Sequence, residues 1–269
     1  MSKLDRLFRA KAITRLQPEA RPFRKDPAGA KEAVLLLHGF TGIPRELSIV
    51  GDALAEAGFA SLAPRYPGHG TDRADFLATG AEDWVRRAFD SYLDLRSEYE
   101  TVHVLGHSMG GLIATIVAVT FNAPRLVLLA PAFRVSNAVG MALSPLIAIF
   151  KPVVKRNRPL PDTETDPVRR KLFADYWADD LVSGTAQLKR ILREARQDLP
   201  RIHSKILVVV GAADDVVPAS VAALVEERAR AAASFESKSI AAGGHLFPFD
   251  GHAAETSTIL REWMTRNPG

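Results

Sequence analysis

The residues Gly106-His107-Ser108-Met109-Gly110, with what flanks them, limit the fold of this chain more than any other stretch. Ahead of them lies Thr101-Val102-His103-Val104-Leu105, a short run rich in β-branched residues that predicts a strand. Behind them Gly111-Leu112-Ile113-Ala114-Thr115-Ile116-Val117-Ala118 predicts a buried helix. A strand that becomes a helix within one tight turn forces the central serine into a strained backbone. That strain lifts its hydroxyl out of the turn, above the sheet edge. A Cβ at position 106 or 110 would collide with the neighbouring strand or helix, which accounts for glycine at both. Taken alone, the pentapeptide also fits a glycine-rich turn without chemistry. The strand before it and the helix after it favour Ser108 as a nucleophile.

A lone serine is a poor nucleophile; it needs a base, a group that orients the base, and donors for an oxyanion. The apolar run Lys205-Ile206-Leu207-Val208-Val209-Val210 reads as a strand covered on both faces, ending in Gly211-Ala212-Ala213-Asp214-Asp215. An aspartate there stands past the carboxyl end of a parallel strand, where catalytic groups gather. Asp214 is the favoured acid; Asp215 reads as a cap or turn residue before the helix opened by Pro218. The last strand, 235–240, runs into Ala242-Gly243-Gly244-His245, whose glycines let the backbone carry an imidazole over the serine. Histidine suits a base because its unperturbed pKa of about 6.5 lets it take and return a proton near neutrality. Of the seven histidines, His245 is preferred. His103 lies inside a strand, His107 points away from the place of a base, and His203 precedes a strand without glycines to position it. His252 reads as a surface residue at the start of the last helix, and His38 and His69 belong to other loops. Two backbone amides are expected to form the oxyanion hole. One is that of Met109, after the nucleophile; the other is that of Phe40, in His38-Gly39-Phe40-Thr41-Gly42 after the strand Ala33-Val34-Leu35-Leu36-Leu37.

These segments resemble the α/β-hydrolases, and within them bacterial thermostable carboxylesterases and monoacylglycerol lipases. The resemblance rests on Pro22-Phe23, Val34-Leu35-Leu36-Leu37-His38-Gly39-Phe40-Thr41-Gly42, Pro67-Gly68-His69-Gly70, Gly106-His107-Ser108-Met109-Gly110-Gly111, Gly211-Ala212-Ala213-Asp214 and Gly244-His245. It covers nearly the whole chain outside a central insert, which is longer than in the smaller esterases of that group. It implies Ser108 as nucleophile, Asp214 as acid, His245 as base, Phe40 and Met109 as oxyanion donors, and a structural His69. It also implies an α/β-hydrolase fold, a mostly parallel sheet flanked by helices with an inserted helical cap, and no metal or organic cofactor.

Strand and helix signals alternate along the chain in agreement with such a sheet. Helices are expected over 44–57, 82–98, 218–233 and 252–265, strands over 59–63 and 125–129, and a loop over 65–75. The Pro22-Phe23 region and Val34–Leu37 are expected to make an antiparallel start. Alternation stops over 131–201, which divides the chain into a core (21–130 and 202–269) and a helical cap. Within the cap, 139–154 is apolar but too short, and too interrupted by Pro145, to span a bilayer; 188–199 is amphipathic. One face of 139–154 is expected to roof an acyl pocket, with Leu146 and Phe150 as substrate-binding residues.

Hydrophobic content of 47% suffices for a large core, and the absence of cysteine removes disulfide and thiol chemistry. No secretory signal is read at the N-terminus, so a cytoplasmic location is expected. Residues 1–25 hold eight Lys/Arg against two acids, and 132–201 thirteen against eight. Leu4, Leu7, Phe8, Ile13 and Leu16 stand at near-helical spacing among the basic residues of an extension over 1–20. That pattern suits contact with an anionic membrane, or, as we prefer, a frayed or docked N-terminal helix with a solvated basic face. Nucleic-acid binding is not expected, since no stacking aromatics or known module accompany the basic segments. Oligomeric state is not legible. The expected substrate is a small-molecule ester with an acyl chain. Amide, thioester, lactone or C–C hydrolysis would use the same triad, and a non-catalytic binding protein on this fold would not need it. Dehalogenase-like and epoxide-hydrolase-like relatives carry aspartate where this chain has Ser108.

Overall fold

Seven strands pair into one sheet in the computed structural model, which describes residues 16–160 and 164–266. They are β1 (Phe23–Lys25), β2 (Glu32–Leu37), β3 (Ala60–Ala63), β4 (Thr101–His107), β5 (Arg125–Leu129), β6 (Lys205–Gly211) and β7 (Ser234–Ile240). Their order across the sheet is β1-β3-β2-β4-β5-β6-β7. Every pair is parallel except β1 with β3. The antiparallel start exists, but its partner differs from the expected one. Both edges of β2 are taken by β3 and β4, and β1 pairs on the outer edge of β3. The side chains of Ala33 to Leu37 are all buried, as an apolar run between two helical layers must be.

The helices are α1 (Ser48–Glu56), α2 (Arg73–Leu77), α3 (Ala81–Glu98), α4 (Met109–Phe121), α5 (Ala138–Phe150), α6 (Pro167–Leu172), α7 (Val182–Asp198), α8 (Val221–Arg228) and α9 (Ala253–Thr265). Three departures from the sequence reading have local causes. Pro44–Leu47 forms a separate 3-10 turn ahead of α1. The loop expected over 65–75 closes into α2, because the Asp72 carboxylate caps it by accepting from the Asp75 amide at 2.9 Å. The helix expected over 218–233 is shorter, spanning only α8.

Between β5 and β6 the described chain contributes no strand to the sheet. It forms α5, then α6 running into a single π turn (Phe173–Trp177), then α7, which packs on both α4 and α5. A buried carboxylate ties this insert to the core. Asp179 accepts from the Arg156 and Asn157 amides at 2.8 and 3.2 Å, and from Arg73 of α2 at 2.7 Å. The two amides, helped by Lys155 and Arg73, hold its carboxyl far below the usual carboxylate range. Residues 1–15 of the basic N-terminal segment, with Leu4, Leu7, Phe8 and Ile13, lie outside the described residues. After it, the Gln17 amide bonds the Gly70 carbonyl at 3.0 Å and Ala20 is buried.

Register sets where the loops meet. Leu37 pairs with Gly106, so β2 and β4 end level and the 38–42 loop emerges beside Ser108. Gly211 pairs with Ile240, so the loops after β6 and β7 also emerge together.

Candidate active site

Ser108 joins β4 to α4 with φ 54° and ψ −116°, a combination that side-chain-bearing residues rarely hold. Three backbone bonds retain it. Its amide donates to the Leu129 carbonyl at 2.9 Å, and its carbonyl accepts from the amides of Gly111 and Ala132 at 3.0 and 3.1 Å. The elbow is crowded as expected: a Cβ at 106 would meet the Gly110 carbonyl, and one at 110 the Leu37 carbonyl of β2.

The loops after β6 and β7 bring Asp214 and His245 to this serine. His245 Nε2 stands 3.0 Å from Ser108 Oγ, and its Nδ1 2.8 Å from Asp214 Oδ2. The other carboxylate oxygen accepts from the Val216 and Val217 amides at 2.9 and 2.8 Å. Burial alone would raise the Asp214 carboxyl. The His245 bond and charge, with the two amides, outweigh it and hold the group below its ordinary value. Asp215, the neighbouring candidate, is exposed.

His107 has a part that its position in the sequence did not reveal. A carbonyl can only accept, so His107 Nε2–H donates to the His245 carbonyl, at 2.9 Å. Burial pushes the His107 imidazole down to about 3, with the charge of His245 acting in the same direction, so the ring stays neutral with its single proton on Nε2. The elbow thereby holds the backbone of the residue that faces it. His69 is buried against Phe76 and Trp84, its Nδ1 bonding the Pro67 carbonyl at 3.2 Å, a structural placement. His38 is likewise buried, bonding the Gly39 carbonyl at 3.0 Å. His103 bonds Glu32, and His252 stands at the start of α9 with its Nδ1 4.0 Å from Glu255.

Phe40 lies in the loop after β2, and Met109 follows Ser108 in the chain. Met109 opens α4, where the first amides of a helix have no acceptor within the helix. The Phe40 amide makes no hydrogen bond among the described residues. A Cβ on Gly39 would touch Ser108 Cβ at 3.4 Å, so this loop lies directly on the serine. Glu46 is buried against the same loop at 6% exposure. Burial raises its carboxyl from 4.5 to about 8, against backbone hydrogen bonds from Ile43 and Gly39 and the charge of Arg169. The unfolded chain ionises near 4.5 while the folded form stays protonated up to about 8. The contribution to stability is therefore complete below the lower value and lost as pH rises through the higher. Glu46→Gln keeps the neutral shape and is expected to flatten this dependence. In thermal unfolding, its Tm should exceed the parent's by several degrees at pH 8 and match it near pH 4.5. A Tm difference that is the same at both pH values rules out a protonated Glu46.

A cleft of about 560 Å³ opens between the 38–42 loop and the insert, lined by Phe40, Met141, Ser144, Ile147, Trp177 and Val216 among others. Leu146 and Phe150 are not in it; they are 64% and 80% exposed. At about 100° per residue they fall on the side of α5 opposite Met141. The helix is apolar nearly all round, so its composition did not mark the face that meets the cleft. Val139 and Ile149 share the exposed side.

A model of the Alpha/beta hydrolase family matches residues 34–258. Over 87 residues the chain is 42% identical to a carboxylesterase of Bacillus subtilis (strain 168), which covers 32% of this chain and only 35% of that protein. It is 29% identical over 189 residues to the thermostable monoacylglycerol lipase of Bacillus sp. (strain H-257), covering 69% of this chain and 71% of the other. Among solved structures, one from the pair of metagenome-derived lipolytic enzymes LipS and LipT superposes with a TM-score of 0.80 at 21% identity, covering 94% of this chain and 100% of that one. The monoacylglycerol lipase of Paleococcus ferrophilus superposes with a TM-score of 0.71 at 20% identity, covering 90% and 97%. At such identities the structural likeness speaks for the fold.

Proposed function

The chain belongs to the alpha/beta hydrolase family, and from that premise we propose that it hydrolyses carboxylic esters through an acyl-Ser108 intermediate. The observation that carries this reading is one imidazole bridging a strained serine at 3.0 Å and a buried carboxylate at 2.8 Å. Curated relatives named carboxylesterase and monoacylglycerol lipase support the same bond class. In this reading Ser108 Oγ attacks the ester carbonyl while His245 Nε2 takes its proton. Asp214 holds Nδ1–H and stabilises the imidazolium that forms. The Phe40 and Met109 amides receive the oxyanion, where charge develops only in the transition state. His245 then protonates the leaving alcohol. It next activates a water that releases the acid from Ser108.

The insert over 131–201 acts as the cap, and the acyl chain lies in the cleft along the inner side of α5. Monoacylglycerols and simple short-to-medium esters fit that description. Ile147→Ser tests it, because Ile147 lines the cleft and, at 37% exposure, can be changed without opening the core. Removing its apolar contact should cost octanoate esters roughly fourfold in kcat/KM per methylene left without a partner, and leave acetate within about twofold. Equal loss on all chain lengths removes the acyl chain from this side of α5. A fluorophosphonate should label wild-type protein at Ser108 alone, read by peptide mass. A label on another serine rejects the mechanism.

A further inference from the structure

The loop that carries Phe40 is held by a side chain from the helical insert. Thr41 sits at φ 59°, a left-handed backbone that a β-branched residue keeps only when its surroundings impose it. Its hydroxyl donates to the Phe40 carbonyl at 2.6 Å and accepts from the indole Nε1–H of Trp177 at 2.9 Å. A hydroxyl has one proton and two lone pairs, so both bonds are made together. On the other side of the turn the Gly42 amide donates to the Gly39 carbonyl at 3.2 Å. The Phe40 ring packs edge-on against Phe76 and Trp84, with centroids 5.5 and 6.1 Å away. Residue 40 is thus fixed at its side chain, at its carbonyl and by the turn around it, while its amide stays unbonded.

Trp177 closes the single π turn Phe173–Trp177. Such one-turn insertions are rare in helices and recur at functional sites. The turn is itself anchored to the core by Arg73 of α2, which donates to the carbonyls of Ala174 and Asp175 at 3.1 and 2.8 Å and pairs with Asp179. Packing alone would need an aromatic ring at 177 and no indole N–H aimed at the threonine hydroxyl.

We infer that Trp177 is a positioning residue for the oxyanion hole. Its indole N–H, through the Thr41 hydroxyl and the Phe40 carbonyl, holds the Phe40 amide in the orientation that the oxyanion requires. Full turnover therefore depends on the insert being seated on the core. The inference rests on the ester-hydrolase reading above. Losing an oxyanion donor outright costs about 10²–10³ in kcat. A donor that is present but loses its hold costs part of that, about ten- to thirtyfold.

The test uses the full chain and p-nitrophenyl acetate, an ester too small to reach far into the cleft. The variants are Trp177→Phe, Thr41→Val, their combination, and Thr41→Ser, which keeps the hydroxyl. Trp177→Phe and Thr41→Val should each lower kcat about ten- to thirtyfold with KM within about twofold. The combination should be no worse than the poorer single variant, because both remove one linkage. Thr41→Ser should retain most of the activity. Affinity for a trifluoromethyl ketone, which forms an oxyanion on the serine, should weaken in parallel with kcat. Trp177→Phe alone decides if Thr41→Val does not fold. Wild-type kcat and wild-type ketone affinity in Trp177→Phe overturn the inference. So do losses that multiply in the combination, or a raised KM with unchanged kcat, which would make Trp177 a substrate contact. A wild-type protein with no ester turnover overturns the underlying reading as well. An active wild type with an indifferent Trp177→Phe overturns this inference alone.

Discussion

Ser108→Ala is expected to reduce ester turnover by on the order of 10⁴-fold or more while leaving the fold in place. The loss is large because three groups act on one oxygen. Without Oγ, His245 has no proton to take and the oxyanion donors have no acyl adduct to stabilise. What remains is the part of catalysis that positioning and the oxyanion amides supply to attack by water. The fold should tolerate the change well. Ser108 is held by its amide and carbonyl, bonded to Leu129, Gly111 and Ala132, and alanine keeps all three bonds. Removing the hydroxyl also takes nothing from the strained φ of 54°, which belongs to the backbone. Circular dichroism and Tm should match the parent, and phosphonate labelling should vanish. Persisting turnover in Ser108→Ala would end the acyl-enzyme mechanism.

Asp214→Asn is expected to cost about 10³–10⁴ in kcat, and Asp215→Asn no more than a few-fold. An asparagine can still accept from the Val216 and Val217 amides through its oxygen, so the loop keeps its shape. Its amide nitrogen would then face His245 Nδ1, favouring the tautomer with its proton on Nε2, which cannot receive the serine proton. The lost charge would also have stabilised the imidazolium from a fully buried side chain, where solvent screens little. Asp215 is exposed and bonds neither partner of the histidine. The same pair of variants carries a stability sign. The Asp214 carboxyl sits below its ordinary 3.8 in the folded protein. Its contribution is therefore present above that value and lost as pH falls through the lower folded one. The Tm gap between the parent and Asp214→Asn should be widest above pH 4 and shrink in more acid solution. His245→Ala should be as poor as Asp214→Asn, whereas His252→Ala should stay active. A dead Asp215→Asn beside an active Asp214→Asn would overturn the assignment.

Much of this was legible in the chain itself. The centres of β2, β5 and β6 are apolar runs, as strands covered on both faces require, and these strands and the β-branched β4 lie close to their expected bounds. Ser108, Asp214 and His245 were named from short segments at strand ends, and they stand within hydrogen-bond distance of one another. The elbow was legible because its constraint is local: two glycines and a strand-to-helix turn specify the serine backbone without reference to anything distant.

Other features depended on what packs against what. The edge strand β1 lies on β3 because β2 had no free edge. Leu146 and Phe150 point outward because an apolar helix has no sequence mark for its inner side, and contact with α7 decides it. His107 holds the His245 backbone across 138 positions, and Trp177 reaches Thr41 across 136. Residue types and short spacings by themselves determined the sheet, the elbow and the three groups around Ser108, since backbone sterics and periodicity act over a few residues. Only the tertiary structure decided the cleft-facing side of α5, the hold on the 38–42 loop and the anchoring of the His245 backbone. Those are contacts between residues distant in the chain, some 40–60 apart between α5 and α7 and more than a hundred apart for Trp177 with Thr41 and His107 with His245, set by register and packing and carried by no local pattern.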